Sequence, residues 1–355
     1  MFIRHLTHAT SRQGCENVVL SLAPEGASSE DGPDYRLVHA KEDFNWASTG
    51  VSLSSFKVFS ELSKSADIIH YHFPWPFMDV VHFATRVKKP TVVTYHSDIV
   101  RQKVLKRLYT PLQNAFLNSV DAIVATSPNY LKSSPVLAKF PDKTSAIPIG
   151  LEEAMYPQPQ LERVAELRMQ RGRFFLFVGV LRYYKGLEFL LQAVEGKDWP
   201  LLIVGAGPLE QELMKMAADK KLHNVHFIGQ VTEQEKVNLL TACYAVVFPS
   251  HLRSEAFGIS LLEAAMYGKP MICSEIGTGT SYINQHQVSG LVVPPKDALA
   301  MRAAMTELWG SSALADRFGV AARERYLQMF TSYSMGESYE QLYTSLLARS
   351  SSREV

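Results

Sequence analysis

Glu255-Ala-Phe-Gly-Ile-Ser-Leu-Leu-Glu263 sets two carboxylates eight residues apart, with Phe257-Gly258 between them and an apolar run leading into the second. A helix starting near Ile259 would leave Glu255 in the preceding loop and carry Glu263 just past its first turn. The amides of Phe257, Gly258 and Ile259 would then be free to meet an oxygen-rich ligand, because the first turn of a helix has no internal acceptors for its N–H groups. A carboxylate at Glu263 can accept hydrogen bonds from both hydroxyls of a ribose. The same spacing also fits a surface loop whose acids cap a helix start. The spacing alone leaves both readings open.

Working outward, short apolar runs alternate with helical patterns, the mark of parallel α/β sheets. In the first half the strand candidates are Asp67–Tyr71, Thr91–Tyr95 and Ala122–Ala125. In the second half they are Phe174–Val180, Leu201–Val204, Val225–Ile228, Ala245–Phe248 and Met271–Cys273. Each of the latter ends in a polar or glycine-containing loop, where open α/β sheets place ligands. A stiff, turn-rich stretch from Ile147-Pro-Ile-Gly150 through Pro157-Gln-Pro159 reads as an interdomain linker. At 355 residues the chain is long for one core and suits two domains.

A content of 46% hydrophobic and 20% charged residues is that of a globular protein and excludes a disordered one. Cys15, Cys243 and Cys273 are odd in number and form no C-x-x-C pair, which argues for a reducing compartment and against a disulfide framework or a zinc site. The start, Met1-Phe-Ile-Arg-His-Leu-Thr-His8, lacks the apolar core of a signal peptide. The best apolar run, Phe174 to Leu181, is far short of a membrane span. The protein is expected to be cytoplasmic, soluble or peripheral. Net charge is +1, yet residues 80–143 hold ten Lys and Arg against three acids, a local +7. That stretch suits either a solvated helix face or an anionic membrane surface, and Lys103-Val-Leu-Lys-Arg-Leu-Tyr109 interleaves base and apolar side chains as an interfacial helix would. It carries no nucleic-acid-binding motif, so no nucleic-acid partner is expected.

Three blocks carry a resemblance. Pro249-Ser-His-Leu-Arg-Ser-Glu255-Ala-Phe-Gly258 with the later Glu263-Ala264 and Gly268-Lys-Pro270 resembles the E-x7-E signature of family-four retaining glycosyltransferases. Phe177-Val-Gly-Val-Leu-Arg182-Tyr-Tyr-Lys185-Gly186 is similar to that family's strand and loop bearing the donor-phosphate Arg and Lys. Val204-Gly205-Ala-Gly-Pro208 is similar to its next strand-turn, and Ser274-Glu-Ile-Gly-Thr-Gly-Thr-Ser-Tyr282 to the O-antigen mannosyl- and rhamnosyltransferases within it.

The resemblance implies an α/β chain of the GT-B fold, two Rossmann-like parallel-sheet domains facing a central cleft. The expected parts are an acceptor-side domain over 1–155, a nucleotide-sugar domain over 156–330, and a helix over 331–355 that crosses back to the first domain and ends in a disordered tail over Ser350–Val355. It further implies a hexose, mannose from GDP-mannose first, moved with retention onto a lipid-linked saccharide acceptor for O-antigen or another surface polysaccharide. Rhamnose or glucose transfer and a non-catalytic nucleotide-sugar-binding subunit stay open.

The site residues follow from both sources. Arg182 and Lys185 follow a strand three residues apart, a fork and a point charge suited to a departing diphosphate. Glu255, with the Phe257 and Gly258 amides, is expected to hold the sugar, and Glu263 the ribose. Gly205, Val231, Ala256 and Ile259 complete the expected donor contacts. Gly14 is expected to follow a short first strand and open a helix over Glu16–Leu22 whose amides face phosphate. The family has a glycine pair there, whereas this chain has Gln13-Gly14. His96, in Tyr95-His-Ser-Asp98, resembles the family's active-site histidine. His70 and His72 have metal-compatible spacing but no evident third ligand. No D-x-D occurs, so no metal and no cofactor beyond the nucleotide-sugar substrate is implied. Gly205-Ala-Gly207 lacks the third glycine of a dinucleotide fingerprint.

Overall fold

The computed structural model describes residues 1–26, 28–46, 49–99 and 103–352, with the backbone alone at 103–106. The chain divides into two compact units, one formed by 1–150 together with the segment from Ser332 onward, the other by Leu151–Thr331.

The first unit contains strands β1 (Val18–Ala23), β2 (Ser29–Asp31), β3 (Arg36–Lys41), β4 (Phe44–Trp46), β5 (Thr49–Val51), β6 (Ile69–Phe73), β7 (Thr91–Tyr95), β8 (Ala122–Ala125) and β9 (Thr144–Ala146). β6 to β9 form a parallel sheet in sequence order, with Ile69 opposite Thr91 and Val92 opposite Ala122. β7 is buried at every position, which is why Thr91-Val-Val-Thr-Tyr95 reads as a continuous β-branched run. β1, β3 and β2 make a separate mixed sheet, and β4 and β5 a hairpin.

The N-terminus corrects one expectation. Phe2–Ser11 is a helix, not a strand, and Val18–Ala23, the heart of the expected Glu16–Leu22 helix, is strand β1 paired in parallel with β3. The helix buries Leu6 and Ala9, three apart, against the helix Ser332–Ser351. At their crossing Gly336 lies so near that a Cβ there would stand 2.8 Å from the Ala9 methyl. The long helix extends through Ser350 and Ser351, which were expected in the tail, while 353–355 fall outside the described residues.

The second unit is one six-stranded parallel sheet built from β10 (Phe175–Val178), β11 (Leu201–Val204), β12 (Val225–Gly229), β13 (Ala245–Phe248), β14 (Met271–Ser274) and β15 (Gly290–Val293). Its order is β12-β11-β10-β13-β14-β15. Phe175, Phe177, Leu201, Ile203, Val247 and Ile272 pack into one core while Leu176, Leu202 and Val246 are buried between them in sequence. Each such side chain contributes about 1.5–3 kcal/mol on burial, so strands covered on both faces need unbroken apolar runs. Among the described residues no helix is long and apolar enough to cross a membrane.

Candidate active site

In the second unit the strand order reverses between β10 and β13, whose successors lie on opposite sides of the sheet. Open α/β sheets bind ligands at the carboxyl ends of such a pair, because the diverging connections leave a crevice there. The loop after β10 carries Arg182 and Lys185, and the loop after β13 carries Ser250 and Glu255. Gly186 makes their approach possible. It adopts φ +68°, and a Cβ would stand 2.2 Å from the Pro249 carbonyl oxygen. Gly205, after β11, lies against the same first loop, its Cα facing the Gly179 carbonyl.

Lys185 and Glu255 form a buried ion pair, Nζ to Oε2 at 2.5 Å, with side chains 9% and 12% exposed. Ser250 donates to the same Oε2 at 3.1 Å. The ammonium also lies 4.6 Å over the Phe248 ring. Arg182 stays exposed beside Tyr184. Lys185 therefore has one of three donors committed to Glu255 and the rest available to an anion, while Arg182 supplies an accessible fork.

The helix Ile259–Met266 begins at the expected residue, preceded by Gly258 in the left-handed region. Among the described residues the Phe257, Gly258 and Ile259 amides donate no hydrogen bond. Ala256 is tied from behind, its carbonyl accepting from the Gly279 amide at 3.0 Å. Glu263 is buried to 3% side-chain exposure and accepts from Lys236 Nζ at 2.7 Å and Tyr156 Oη at 3.2 Å, both on Oε1. Burial raises its carboxyl above the usual range, and the Lys236 charge opposes that rise. Oε1 of Glu263 is thus engaged by two donors, while Oε2 takes no hydrogen bond from the described residues. Val231 sits in the loop between β12 and the helix Glu233–Ala242 that supplies Lys236.

His96 directly follows β7 in the first unit. Its Nε2 lies 3.1 Å from His72 Nδ1, and Phe2 meets both rings edge-on. His70 stacks on His72 with centroids 4.7 Å apart, and its nitrogens reach Tyr343 and Thr94 at 2.7 Å each. Burial lowers His96 to about 4 and His70 to about 3, the latter helped by His96, so all three rings are neutral at pH 7. The third ring near His70 and His72 is therefore His96, yet no group among the described residues has the arrangement of a metal site. Gly14 lies in the turn after the Phe2–Ser11 helix at φ +88°. The expected helix start behind it does not exist, because the following amides belong to a β ladder, and with it goes the physical reason for placing phosphate there.

Residues 1–153 match the family described as Glycosyltransferase Family 4, and residues 160–325 that described as Glycosyl transferases group 1. The chain is 55% identical over 331 residues to the D-rhamnosyltransferase WbpZ of Pseudomonas aeruginosa, covering 93% of this chain and 87% of that protein. The chain belongs to the family-four glycosyltransferases. This glycosyltransferase is also 49% identical over 350 residues to the O-antigen chain mannosyltransferase C of Escherichia coli, covering 97% of this chain and 93% of that one. In fold it is similar to a sucrose-phosphate synthase from Thermosynechococcus elongatus, at TM-score 0.80 and 23% identity over 98% of this chain and 93% of that one. Its fold is GT-B.

Three residues of the glycosyltransferase that bond Glu255 or Glu263 escaped the sequence reading. Ser250 stands inside the quoted signature but carries no mark of its role. Lys236 and Tyr156 lie 27 and 107 residues from Glu263, and no periodicity links them to it.

Proposed function

We propose that the protein transfers a hexose of manno configuration from its GDP ester, mannose first, onto a lipid-linked saccharide in O-antigen or related surface-polysaccharide assembly. The carrying observation is the buried Lys185–Glu255–Ser250 cluster at the strand-order reversal, beside three amides that have no partner among the described residues. Arg182, the free Lys185 donors and the amides would take the diphosphate charge, a preorganised field of the kind that dominates such catalysis. Glu255 would hold sugar hydroxyls through Oε1, its Oε2 being fixed by Lys185 and Ser250. In a retaining front-face reaction the bond from the anomeric carbon to the diphosphate oxygen breaks. The acceptor oxygen then bonds the same face of that carbon, and its proton passes to the departing diphosphate. This reading assigns charge neutralisation to side chains and asks for no metal.

The choice of sugar is supported by the two relatives, named for mannose and for D-rhamnose. D-Rhamnose is mannose without its 6-hydroxyl, so one pocket shape serves both, and D-rhamnose transfer is the second reading because the 55% relative bears that name. The test is thermal unfolding with GDP, UDP, dTDP and ADP, followed by turnover of GDP-mannose and GDP-D-rhamnose with chelator present. GDP at a hundred times its Kd adds about 2.7 kcal/mol of stability. Stabilisation by another base and not by GDP overturns the donor reading, and dependence on a divalent ion overturns the metal-free one.

A further inference from the structure

Glu263 is held in an unusual way for a buried carboxylate. Lys236 and Tyr156 both bond Oε1, and Oε2 takes no hydrogen bond from any described residue. Lys236 is itself fixed by Glu233 at 2.7 Å and lies 5.5 Å over the Tyr156 ring. Burial works against its charge, but Glu263 and Glu233 outweigh that and hold the ammonium above its ordinary range.

A buried Lys–Glu pair is a poor stabilising device, because desolvating two charges consumes most of their attraction. Apolar side chains of the same volume would hold the two helices together at least as well. What the pair gives that apolar packing cannot is a carboxylate with one oxygen fixed and the other left unengaged by the described residues. We infer that Lys236 and Tyr156 are positioning residues for nucleotide recognition. They keep Glu263 charged and turn Oε2 toward the ribose hydroxyls. The inference rests on the reading of Glu263 as the ribose carboxylate. In the first place it predicts that ribose recognition, and not nucleotide binding as a whole, depends on Lys236.

The experiment is calorimetric titration of the full chain with GDP and UDP and with the 2′-deoxy and 3′-deoxy forms of whichever binds. Native protein should bind a deoxy form about tenfold more weakly, the loss of a hydrogen bond to a charged group. Lys236→Met should bind the ribonucleotide about as weakly as native protein binds the deoxy form, with ribose preference gone. Lys236→Arg should keep the preference, and Tyr156→Phe should reduce it. A merely structural tie predicts a lower Tm with the ribose preference intact. That result in Lys236→Met overturns the inference. If Lys236→Met does not fold, an undiminished preference in Tyr156→Phe overturns it instead. Native protein indifferent to both hydroxyls refutes the Glu263 reading itself, and failure to bind either nucleotide refutes the proposed function with it.

Discussion

Lys185 is bound up with both stability and chemistry, and the two can be separated. Removing one partner of a buried ion pair strands the other charge, at about 3–5 kcal/mol. Lys185→Ala should therefore lose transfer and also lower the melting temperature. The pair Lys185→Met with Glu255→Leu should recover the melting temperature and leave transfer absent, as calorimetry and a donor-turnover assay would show. Recovery of turnover in the double variant would remove both residues from the mechanism. At this scale the sequence was legible where residues stand close along the chain. Arg182 and Lys185 share one turn, and Glu255 and Glu263 flank one helix start. It was silent on Lys236 and Tyr156, because a bond across 107 residues leaves no spacing to read.

Among elements, β6 and the residue after β7 present a row of neutral histidines. His70, His72 and His96 have folded values far below 6.5, burial being the first cause in each. In the unfolded chain they bind protons below 6.5, whereas in the fold they do not until about 4 for His96 and about 3 for His70. Their contribution is thus complete above pH 6.5 and is lost as the pH falls toward those values. Each group can remove up to about 1.4 kcal/mol per pH unit in that window. Thermal unfolding from pH 7 to 4 should show a steep fall, and His70→Asn should start lower and fall less steeply. A flat profile in the native protein would contradict the burial of these rings.

The same scale shows where element reading failed. β7, β8, β11 and β13 have the bounds their apolar runs give, because strands covered on both faces are decided by local composition. Phe2–Ser11 packs against Ser332–Ser351, more than 300 residues away, and its own helical periodicity went unread because the Gln13-Gly14 match set a strand before it. β15 went unread since its run opens on Gly290 and holds only three apolar residues, and pairing with β14 identifies it.

For the whole molecule, the +7 of residues 80–143 leaves about −6 over the rest. The helices Pro76–Thr85 and Lys103–Ser119 pack together and expose Val80, Phe83 and Leu108 alongside Arg86 and Arg107. Arg101 and the side chains of Lys103 and Lys106 fall outside the described residues. We propose that this face meets an anionic bilayer, supported by the pairing of exposed apolar and basic groups. Each base contributes about 1 kcal/mol near anionic headgroups and is screened by salt. Sedimentation with vesicles should show binding that rises with anionic lipid and fades with salt, and equal binding to neutral vesicles would reject the electrostatic part.

The segments at either end of the second unit lie side by side, Leu151 donating its amide to the Phe330 carbonyl at 2.9 Å. The first unit is interrupted between Gly150 and Ser332, and its core includes Met335, Tyr339 and Leu346 beside Leu6 and Val92. On the ribosome this reverses the usual sequence of events. The part made second has all its strands once residue 331 emerges, while the part begun first stays unfinished until Leu346 has been translated. At about 5–20 residues per second its early strands wait on the order of 10–40 s for that closing helix. During that interval Val92 of β7 and Ala122 and Val124 of β8 lack the cover that Met335, Tyr339 and Leu346 later give them.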